Sequence, residues 1–356
     1  MRPRVYLDHA ATTPVLEPAR MAVAAALELW ANPSSPHVEG RAARAALEAA
    51  RRTIAEAFGW RHDVIITSGA SEAITIAGER AKVERRLGGA TEHEVVPYAM
   101  GTSAERLPVR LDGSIDLEAL DGALAGGPAL VAIQLVNNET GVTQPAEAIV
   151  KRIRAAGSLW LCDAAQAAGK VDLPDADFIA VSAHKLGGPP GVGALLVRDL
   201  ATLEPSGGQE RGYRRGTSDV PGAVGLAAAL ESREFGDAMP RLVALRSRLE
   251  NELQAAGGVI IAADAPRIAT IGAIAMPGVS AASQLVQFDL AGISISAGSA
   301  CSSGSTKPSH VLAAMGIPSE LADATIRVSF GVSTNDADID AFLAEWRRIA
   351  SRRRAA

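Results

Sequence analysis

One of the two cysteines, Cys301, lies in a setting where a thiol could react. Residues 296–306 read Ser-Ala-Gly-Ser-Ala-Cys-Ser-Ser-Gly-Ser-Thr and contain no large apolar side chain. Because packing cannot fix such a segment, we expect a mobile loop here. The thiolate is the reactive form of cysteine, and a mobile loop can carry it to more than one place. The sequence therefore predicts a nucleophilic thiol at Cys301.

Lys185 is placed where an amine could form a Schiff base with an aldehyde cofactor. It follows an apolar run in the sequence Ser-Ala-His-Lys-Leu-Gly-Gly-Pro-Pro-Gly, residues 182–191. Glycine and proline favour a loop that a bulky ligand can approach closely, and a lysine there becomes nucleophilic once its pKa falls. Ser182 and His184 would then contact the phosphate of the cofactor. By residue type alone, a solvated surface lysine stays open.

A carboxylate and an amide follow a second apolar run. Asp163 comes directly after Leu-Trp-Leu-Cys, and Gln166 lies three residues further on. Pyridoxal phosphate works as an electron sink only while its ring nitrogen stays protonated, which a buried carboxylate ensures. Gln166 would reach the phenolic oxygen of the ring. Asp163 could instead be a helix N-cap, but its pairing with Lys185 favours the cofactor.

Residues 67–72, Thr-Ser-Gly-Ala-Ser-Glu, lie between a predicted strand and a predicted helix. Backbone amides and the helix dipole make such a junction an anion site. The segment is therefore a candidate phosphate cradle, although an ordinary helix cap at Ser71 stays open. Thr217, in Arg-Arg-Gly-Thr, is a possible second phosphate contact.

Two further side chains have the right chemistry for this site. His93 could stack on the cofactor ring and shuttle protons, because the pKa of imidazole lies near neutrality. Arg327 stands in an otherwise apolar strand, so it needs a partner, and its guanidinium fork suits a substrate carboxylate. A structural histidine and a structural ion pair are the alternatives. Cys162, beside Asp163, is interpreted as an inert core thiol.

These residues lie among alternating helices and short apolar strands, a pattern typical of a parallel sheet covered by helices. Residues 85–90, Arg-Arg-Leu-Gly-Gly-Ala, do not resemble a strand, although one might be expected there. A second sheet is predicted after about Val220. The predicted helices are 18–30, 40–58, 71–86, 223–230, 240–255 and 336–351, and the predicted strands are 64–67, 130–135, 159–162, 178–182, 192–197, 268–275, 290–296 and 326–330.

Composition narrows the class of protein. The chain has 356 residues, of which 48% are hydrophobic and 21% charged, as in globular proteins with a sizeable core. The net charge of −5 gives no reason to expect a nucleic-acid partner. No apolar run reaches the roughly 18 residues of a membrane span, and we see no signal-peptide core. Two cysteines make neither a disulfide framework nor a zinc site, so we expect a cytoplasmic protein without a metal.

Taken together and in this order, the motifs are highly specific. The chain resembles the group I (NifS/IscS-type) cysteine desulfurases, class V aminotransferases among the fold-type-I pyridoxal-phosphate enzymes, over essentially its whole length. The matching segments are residues 6–14, 32–37, 67–72, 91–93, 137–142, 163–166, 182–185, 207–217 and 298–302.

The resemblance implies an α/β fold with two domains. The large cofactor-binding domain, with a mostly parallel seven-stranded sheet covered by helices, would span residues 15–240. The smaller α+β domain would comprise residues 1–14 and 241–356 and carry the cysteine loop. The resemblance also implies a homodimer that hands sulfur to an acceptor, such as an iron–sulfur scaffold protein, or to thio-cofactor or tRNA acceptors.

The resemblance implies a role for each site residue. Lys185 would form the Schiff base, Asp163 would pair with the pyridine nitrogen and His93 would stack on the ring. Asn138 and Gln166 would contact cofactor or substrate, and Arg327 the substrate carboxylate. The phosphate would be held by Ala70, Ser71, Ser182 and His184, with Thr217 from the other subunit.

The implied reaction converts L-cysteine to L-alanine. L-Cysteine would displace Lys185, which moves the α-proton, and the Cys301 thiolate would attack the substrate sulfur and keep it as a persulfide. His93 is the candidate base for the thiol. A transaminase or a selenocysteine lyase is an alternative, although a transaminase has no use for Cys301.

Several positions depart from the family pattern. Ser71 replaces the usual threonine, Ala-Ile-Thr at 73–75 replaces a more polar stretch, and His9 stands where asparagine is common. The region before Thr91 is shorter than usual, and the early end of the C-terminal tail leaves docking of a scaffold open. A non-catalytic member of the family, altered at 73–75 and 85–90, is therefore a second alternative.

Overall fold

A mostly parallel seven-stranded sheet forms the centre of the protein, as the sequence predicts. The computed structural model describes residues 4–298 and 309–355. Numbered along the chain, the strands of this sheet are β2 (Asp63–Thr67), β3 (Arg85–Gly89), β4 (Glu105–Leu107), β5 (Ala129–Ala132), β6 (Leu159–Asp163), β7 (Phe178–Ser182) and β8 (Gly193–Val197). Their spatial order is β2-β8-β7-β6-β5-β3-β4, with β8 antiparallel to both neighbours.

Helices follow most of these strands and cover both faces of the sheet. Their apolar sides bury residues such as Leu47, Ile54 and Ile74 against it. Numbered along the whole described chain, and not only beside this sheet, the helices are α1 (Glu17–Ala26), α2 (Val38–Ala57), α3 (Ala70–Arg80), α4 (Val95–Met100), α5 (Leu117–Leu124), α6 (Ala146–Ala155), α7 (Val220–Glu231), α8 (Glu234–Ala255), α9 (Ala281–Leu290), α10 (His310–Ala314), α11 (Ser319–Asp323) and α12 (Asp336–Ala355).

The doubt about a strand near residue 85 was wrong, because β3 pairs in parallel with both β4 and β5. Leu87 is fully buried in β3. The side chains of the two arginines before it reach acceptors outside the sheet. Arg85 donates to the Gly127 carbonyl at 2.8 Å, and Arg86 donates to the Gly78 carbonyl near the end of α3 at 3.0 Å. A short strand can therefore contain two arginines when carbonyls of a helix and a turn accept hydrogen bonds from their guanidinium groups. The predicted helix 71–86 correspondingly ends at Arg80.

A second, smaller sheet lies after α8. It contains β9 (Val259–Ile260), β10 (Ile271–Ala275), β12 (Ser296–Ala297) and β13 (Thr325–Ser329) in the order β12-β13-β10-β9. The predicted strand 290–296 is instead two short pieces, since Leu290 ends α9 and a left-handed turn at Gly292 (φ 82°) precedes β11 (Ile293–Ser294). The first strand, β1 (Val5–Tyr6), pairs in parallel with β11.

Buried side chains form separate clusters around the two sheets. The cluster beside the small sheet includes Leu7, Leu249 and Trp346, so the N-terminal segment packs with α8 and α12. Ala10 and Leu16 pack instead with the core of the large sheet. The segment between them therefore crosses from one core to the other. Within the described residues, no helix is long and apolar enough to cross a membrane.

A buried ion pair fixes the segment that leads to Thr217. Arg51 of α2 donates to Glu210 Oε2 at 2.6 Å, and both side chains are nearly inaccessible to solvent. Glu210 also accepts from the backbone of Ile66 at 2.9 Å and from the Ser218 hydroxyl at 2.8 Å. Glu210 thus ties this segment to α2 and to the end of β2.

Arg51→Met should lower the free energy of unfolding by about 3 kcal/mol, because it leaves a buried carboxylate without its cation. Urea unfolding followed by circular dichroism measures the change. The matched control is Arg52→Met, which alters an exposed arginine of the same helix and should change stability by less than about 0.5 kcal/mol. Equal stability of the two variants would contradict a stabilising role for the ion pair.

Candidate active site

A cavity of about 560 Å³ opens at the carboxyl ends of β2, β6 and β7. Ligands of α/β sheets bind at such edges, where strand ends and helix beginnings converge. Nine of the predicted site residues line this cavity, and they come from five separate stretches of chain: Ala70, Ser71, His93, Asn138, Asp163, Gln166, Ser182, His184 and Lys185.

The junction of β2 and α3 forms the anion-binding side of the cavity. Gly69 is the N-cap of α3 with φ 151°, a backbone conformation that favours glycine. The amides of Ala70 and Ser71 belong to the first turn, where helical amides lack intrahelical partners and the dipole favours a negative charge. The acidic side chain of that turn, Glu72, is paired with Arg214 at 3.0 Å. The cradle therefore suits a phosphate group.

Asp163 is the last residue of β6 and is almost entirely buried. Its Oδ1 accepts a hydrogen bond from the amide of Ala165 at 2.9 Å. This bond lies in a turn, and no helix begins in the fully described stretch between β6 and β7, so Asp163 is not the helix N-cap that the sequence left open. Burial raises the pKa of Asp163, whereas the nearby charges of His93 and Lys185 lower it. A cation held against this carboxylate would offset the cost of its burial.

Lys185 ends a single 3₁₀ turn, Ala183–Lys185, that directly follows β7. Its Nζ donates to the backbone carbonyls of Ala10 and Ala11 at 2.6 and 2.7 Å. These carbonyls come from the segment that links the two cores. The fold thereby holds the amine inside the cavity by backbone groups, and part of its side chain stays accessible.

Gln166 offers an unpaired polar atom to the same cavity. Its Nε2 donates to the Ala10 carbonyl at 2.9 Å, and its buried Oε1 has no hydrogen-bond partner among the described residues. A buried, unpaired oxygen costs free energy unless a bound molecule satisfies it. Together with the amine of Lys185, the carboxylate of Asp163 and the anion cradle, Gln166 fits pyridoxal phosphate.

Two histidines border the cavity in different ways. The ring of His93 accepts a hydrogen bond from the Val95 amide at its Nδ1, at 3.3 Å. His184 lies 3.2 Å through its Nδ1 from the Thr12 hydroxyl. Burial, followed by the charges of Lys185 and Lys170, lowers the pKa of His184 to about 4. His184 is therefore neutral near pH 7 and can contact a phosphate as a hydrogen-bond donor.

Arg327, the predicted ligand of the substrate carboxylate, is not among the residues that line the cavity, and its side chain is almost entirely buried. Its Nη2 donates to Asp8 at 2.9 Å and its Nη1 donates to the carbonyl of Asn138 at 3.1 Å. The alternative of a structural ion pair is thus realised with Asp8. The buried Nε of Arg327 has no partner among the described residues.

Two further residues singled out from the sequence, Thr217 and Cys162, do not line the cavity, and a third is not described. Thr217 is exposed and does not line the cavity of its own chain. Cys301 lies outside the described residues. Cys162 is fully buried in β6, and burial, with the charges of Asp163 and Glu92, raises its pKa well above the usual range. Within the described chain, no cluster of histidine, cysteine or acidic side chains could hold a metal ion.

The sequence reasoning missed groups that act through the backbone or from behind the cavity. The carbonyls of Ala10 and Ala11 have no signal in residue type. Lys170 has one, because it is a lone lysine after the Ala-rich run 164–169. It is buried 5.1 Å above the ring of Phe235, and burial, followed by the charge of Lys185, lowers its pKa to about 7.

His9 predicts a pH dependence of stability. Burial, followed by the charge of Lys170, lowers the pKa of His9 to about 4. An unfolded histidine titrates near 6.5, so the unfolded chain binds more protons between pH 6.5 and 4, and stability falls as the pH drops through that window. In His9→Asn, the loss of unfolding free energy between pH 7.5 and pH 4.5 should shrink by about 2 kcal/mol.

Urea unfolding at the two pH values measures this difference. The control His62→Asn changes an exposed histidine and should leave the pH dependence as in the parent protein. An unchanged pH dependence in His9→Asn would mean that His9 is not held neutral by the fold.

Comparison with known proteins agrees with this architecture. The sequence matches the aminotransferase class-V family over residues 5–342. A cysteine desulfurase from Cereibacter sphaeroides is 38% identical, with 96% of this chain and 94% of that protein aligned. A NifS-like protein from Rickettsia africae superposes with a TM-score of 0.91 at 28% identity, covering 98% of this chain and 99% of that one. SspA in complex with cysteine superposes with a TM-score of 0.78 at 29% identity, covering 91% and 98%.

These matches extend beyond the cavity to nearly the whole length of the chain. They confirm the predicted fold class, a fold-type-I transferase with a mostly parallel seven-stranded sheet. The chain is a member of the aminotransferase class-V family.

Proposed function

We propose that the protein is a pyridoxal-phosphate-dependent cysteine desulfurase, which converts L-cysteine to L-alanine and transfers the sulfur to Cys301 as a persulfide. One observation carries the proposal: a single cavity contains an amine at Lys185, a buried carboxylate at Asp163 and a phosphate cradle at α3. Cysteine desulfurases resemble this chain along most of its length, and SspA, a structural neighbour, was solved with cysteine.

The bound cofactor supplies an electron sink for the bond changes at the substrate. The protein positions it and moves the protons. Asp163 would hold the positive charge of the ring nitrogen, and the first turn of α3 with Ser182 and His184 would hold the phosphate. Gln166 offers its unpaired oxygen to the ring substituents. His93, which lines the same cavity, would stack on the ring.

Lys185 is the group that moves the substrate α-proton. An ammonium freed in the cavity is stabilised by the carbonyls of Ala10 and Ala11, which accept from Nζ in this structure. Because those carbonyls come from backbone, they keep the amine near the reacting carbon without neutralising its charge. Lys185 can therefore alternate between accepting and returning a proton.

The sulfur chemistry balances without an external oxidant. The thiolate of Cys301 attacks Sγ of the substrate, the S–S bond forms and the C–S bond breaks. The electron pair of the broken C–S bond would be delocalised by the electron-sink cofactor and, after protonation, would remain in the L-alanine that leaves. His93 takes the proton from the thiol, giving up its long hydrogen bond to the Val95 amide.

Substrate binding completes the assignment. We assign the substrate carboxylate to Arg327 and Asn138, which already contact each other through the Asn138 carbonyl. The Nε of Arg327, which has no partner in the part of the chain that the structure describes, supports this role, and Asp8 orients the guanidinium. The carboxylate of Asp8 competes for the same cation, so substrate binding has to share or displace that pair.

We further propose a homodimer in which Thr217 contacts the phosphate bound by the other subunit. Two observations support it. Thr217 is exposed and does not line the cavity of its own chain, and several large apolar side chains of α1, α2 and their connection are exposed: Met21, Leu27, Trp30 and Val38. Burial of such a patch against a second copy would remove it from water.

The remaining family properties are proposals of the same kind. The large domain comprises residues 15–240, and the small domain comprises residues 1–14 and 241–356, supported by the packing of Leu7 with α8 and α12. The protein is cytoplasmic and delivers its persulfide sulfur to an acceptor such as an iron–sulfur scaffold protein or a thio-cofactor or tRNA pathway.

The test is an anaerobic assay of the cofactor-loaded protein with L-cysteine and dithiothreitol. Equal amounts of L-alanine and sulfide are expected, since each turnover releases one of each, and L-serine should give neither. The keto acid of cysteine in place of alanine would identify a transaminase, and alanine formed from L-selenocysteine but not from L-cysteine would identify a selenocysteine lyase. Absence of every product with the cofactor bound would identify a non-catalytic member of the family.

A further inference from the structure

The turn that follows β5 presents two neighbouring side chains to two different places. Asn138 lines the cavity, whereas Glu139 is buried beside the small sheet. The turn is held by Asn137, whose Oδ1 accepts from the amides of Glu139 and Thr140 at 3.0 and 2.9 Å, and whose Nδ2 donates to the Thr91 carbonyl at 3.1 Å. Because these hydrogen bonds fix the turn, a shift of Glu139 would also shift Asn138.

Glu139 contacts both residues that border the segment carrying Cys301. The hydroxyl of Ser309 donates to Glu139 Oε2 at 2.6 Å. Gly298 lies so close that a Cβ added there would stand 2.1 Å from the same oxygen and 3.3 Å from the Ser309 Cβ. Residues 299–308 connect Gly298 to Ser309. One carboxylate oxygen therefore touches both ends of that connection.

Ser309 can donate to Glu139 and accept from a second group at the same time. As N-cap of α10, its oxygen accepts from the Leu312 amide at 3.0 Å, which leaves its single proton for Glu139. Burial raises the pKa of Glu139, whereas the Ser309 bond and the charges of His310 and Arg327 lower it. The hydrogen bond from the Ser309 hydroxyl therefore stabilises the ionised form of Glu139.

The neighbouring residue ties the same end to a second motif. His310 Nε2 donates to the Glu92 carbonyl at 2.9 Å, and Glu92 directly precedes His93. The C-terminal border of the cysteine segment is thereby attached to the turn of Asn138 and to the stretch of His93. Each of these two stretches contains a residue that lines the cavity, namely Asn138 or His93.

We propose that Glu139 is a positioning residue of the sulfur-transfer step: it anchors both borders of the Cys301 segment to the turn that presents Asn138. This inference rests on the proposed function. Attack by a thiolate requires the reacting atoms at about 3–3.5 Å, and small displacements of a catalytic group cost large factors in rate. Without the anchor, Cys301 reaches the substrate sulfur less often, while the proton chemistry of Lys185 is unaffected.

Two readouts on the cofactor-loaded protein separate these steps. The first is single-turnover formation of the Cys301 persulfide from L-cysteine, quenched by alkylation and measured by mass spectrometry. The second is exchange of the α-proton of L-alanine in D₂O, measured by NMR, which needs Lys185 and not Cys301. Glu139→Gln should slow the first by about ten-fold or more and change the second by less than about two-fold.

A second pair of variants keeps the helix cap while altering the anchor. Ser309→Asp retains a good N-cap but places a carboxylate against Glu139, so persulfide formation should slow as in Glu139→Gln. Ser309→Thr retains both the cap and the proton donor and should behave as the parent protein. Glu147→Gln, an exposed glutamate on α6, is the matched charge control.

Each outcome decides the proposal. Slow persulfide formation with normal exchange in Glu139→Gln and Ser309→Asp supports it. Equal loss of both readouts, or parental rates in both variants, overturns it. If the parent protein itself forms no persulfide on Cys301 while exchanging the α-proton, the proposed function fails instead, so the two failures are distinguishable.

Discussion

Replacing Lys185 by alanine should reduce the formation of L-alanine and sulfide from L-cysteine by about 10,000-fold or more. The amine is assigned two tasks, holding the cofactor and moving the α-proton, and general acid–base catalysis alone contributes about 100- to 10,000-fold. His184, the neighbouring side chain at this strand end, is a poor substitute, because its pKa is lowered to about 4 and its Nδ1 lies 3.2 Å from the Thr12 hydroxyl. The measurement is the anaerobic assay with a mass-spectrometric readout.

A covalent label separates loss of chemistry from loss of binding. Borohydride reduction of the parent protein should attach the cofactor to the peptide that contains Lys185, and the alanine variant should give no labelled peptide. The matched control is Lys151→Ala, which removes an exposed lysine of α6 and should retain both labelling and turnover. Parental turnover in Lys185→Ala, or a label on another lysine, would remove Lys185 from the mechanism.

The cavity-lining groups could be located from sequence because strand ends are local features. Asp163 and Lys185 each follow a short apolar run. Because these runs form neighbouring strands, the two polar side chains lie at one edge of the sheet. The cradle before α3 has the same origin, since a strand, a glycine and a helix start are contiguous. The seven-stranded sheet was expected from the family resemblance and is confirmed.

Contacts between distant segments could not be predicted. The pairing of Arg327 with Asp8 joins residues 319 positions apart. The carbonyls that bind Lys185 belong to Ala10 and Ala11, whose side chains carry no chemical signal. Strand β3 was missed for a related reason, since its two arginines find acceptors on α3 and on a remote turn. In each case the partner is chosen by tertiary packing and not by local propensity.

Replacing Cys301 by serine should lower the yield of L-alanine and sulfide by about 1,000-fold or more. A serine hydroxyl is far less acidic than a thiol and supplies no thiolate to attack the substrate sulfur. The change leaves the groups that line the cavity in place, so exchange of the α-proton of L-alanine in D₂O should continue at the parental rate. That combination, exchange without desulfuration, places the defect in the sulfur-transfer step.

The other cysteine provides the matched control, because Cys162 is a thiol that the fold keeps out of reach. It is fully buried in β6, and burial, with the charges of Asp163 and Glu92, holds its pKa well above the usual range. Cys162→Ala should therefore retain desulfuration, and mass spectrometry of the parent protein after one turnover should find the added sulfur on the Cys301 peptide alone. Alanine formation at the parental rate in Cys301→Ser, with sulfur recovered on Cys162, would reverse the two assignments and require the core of the large sheet to open during turnover.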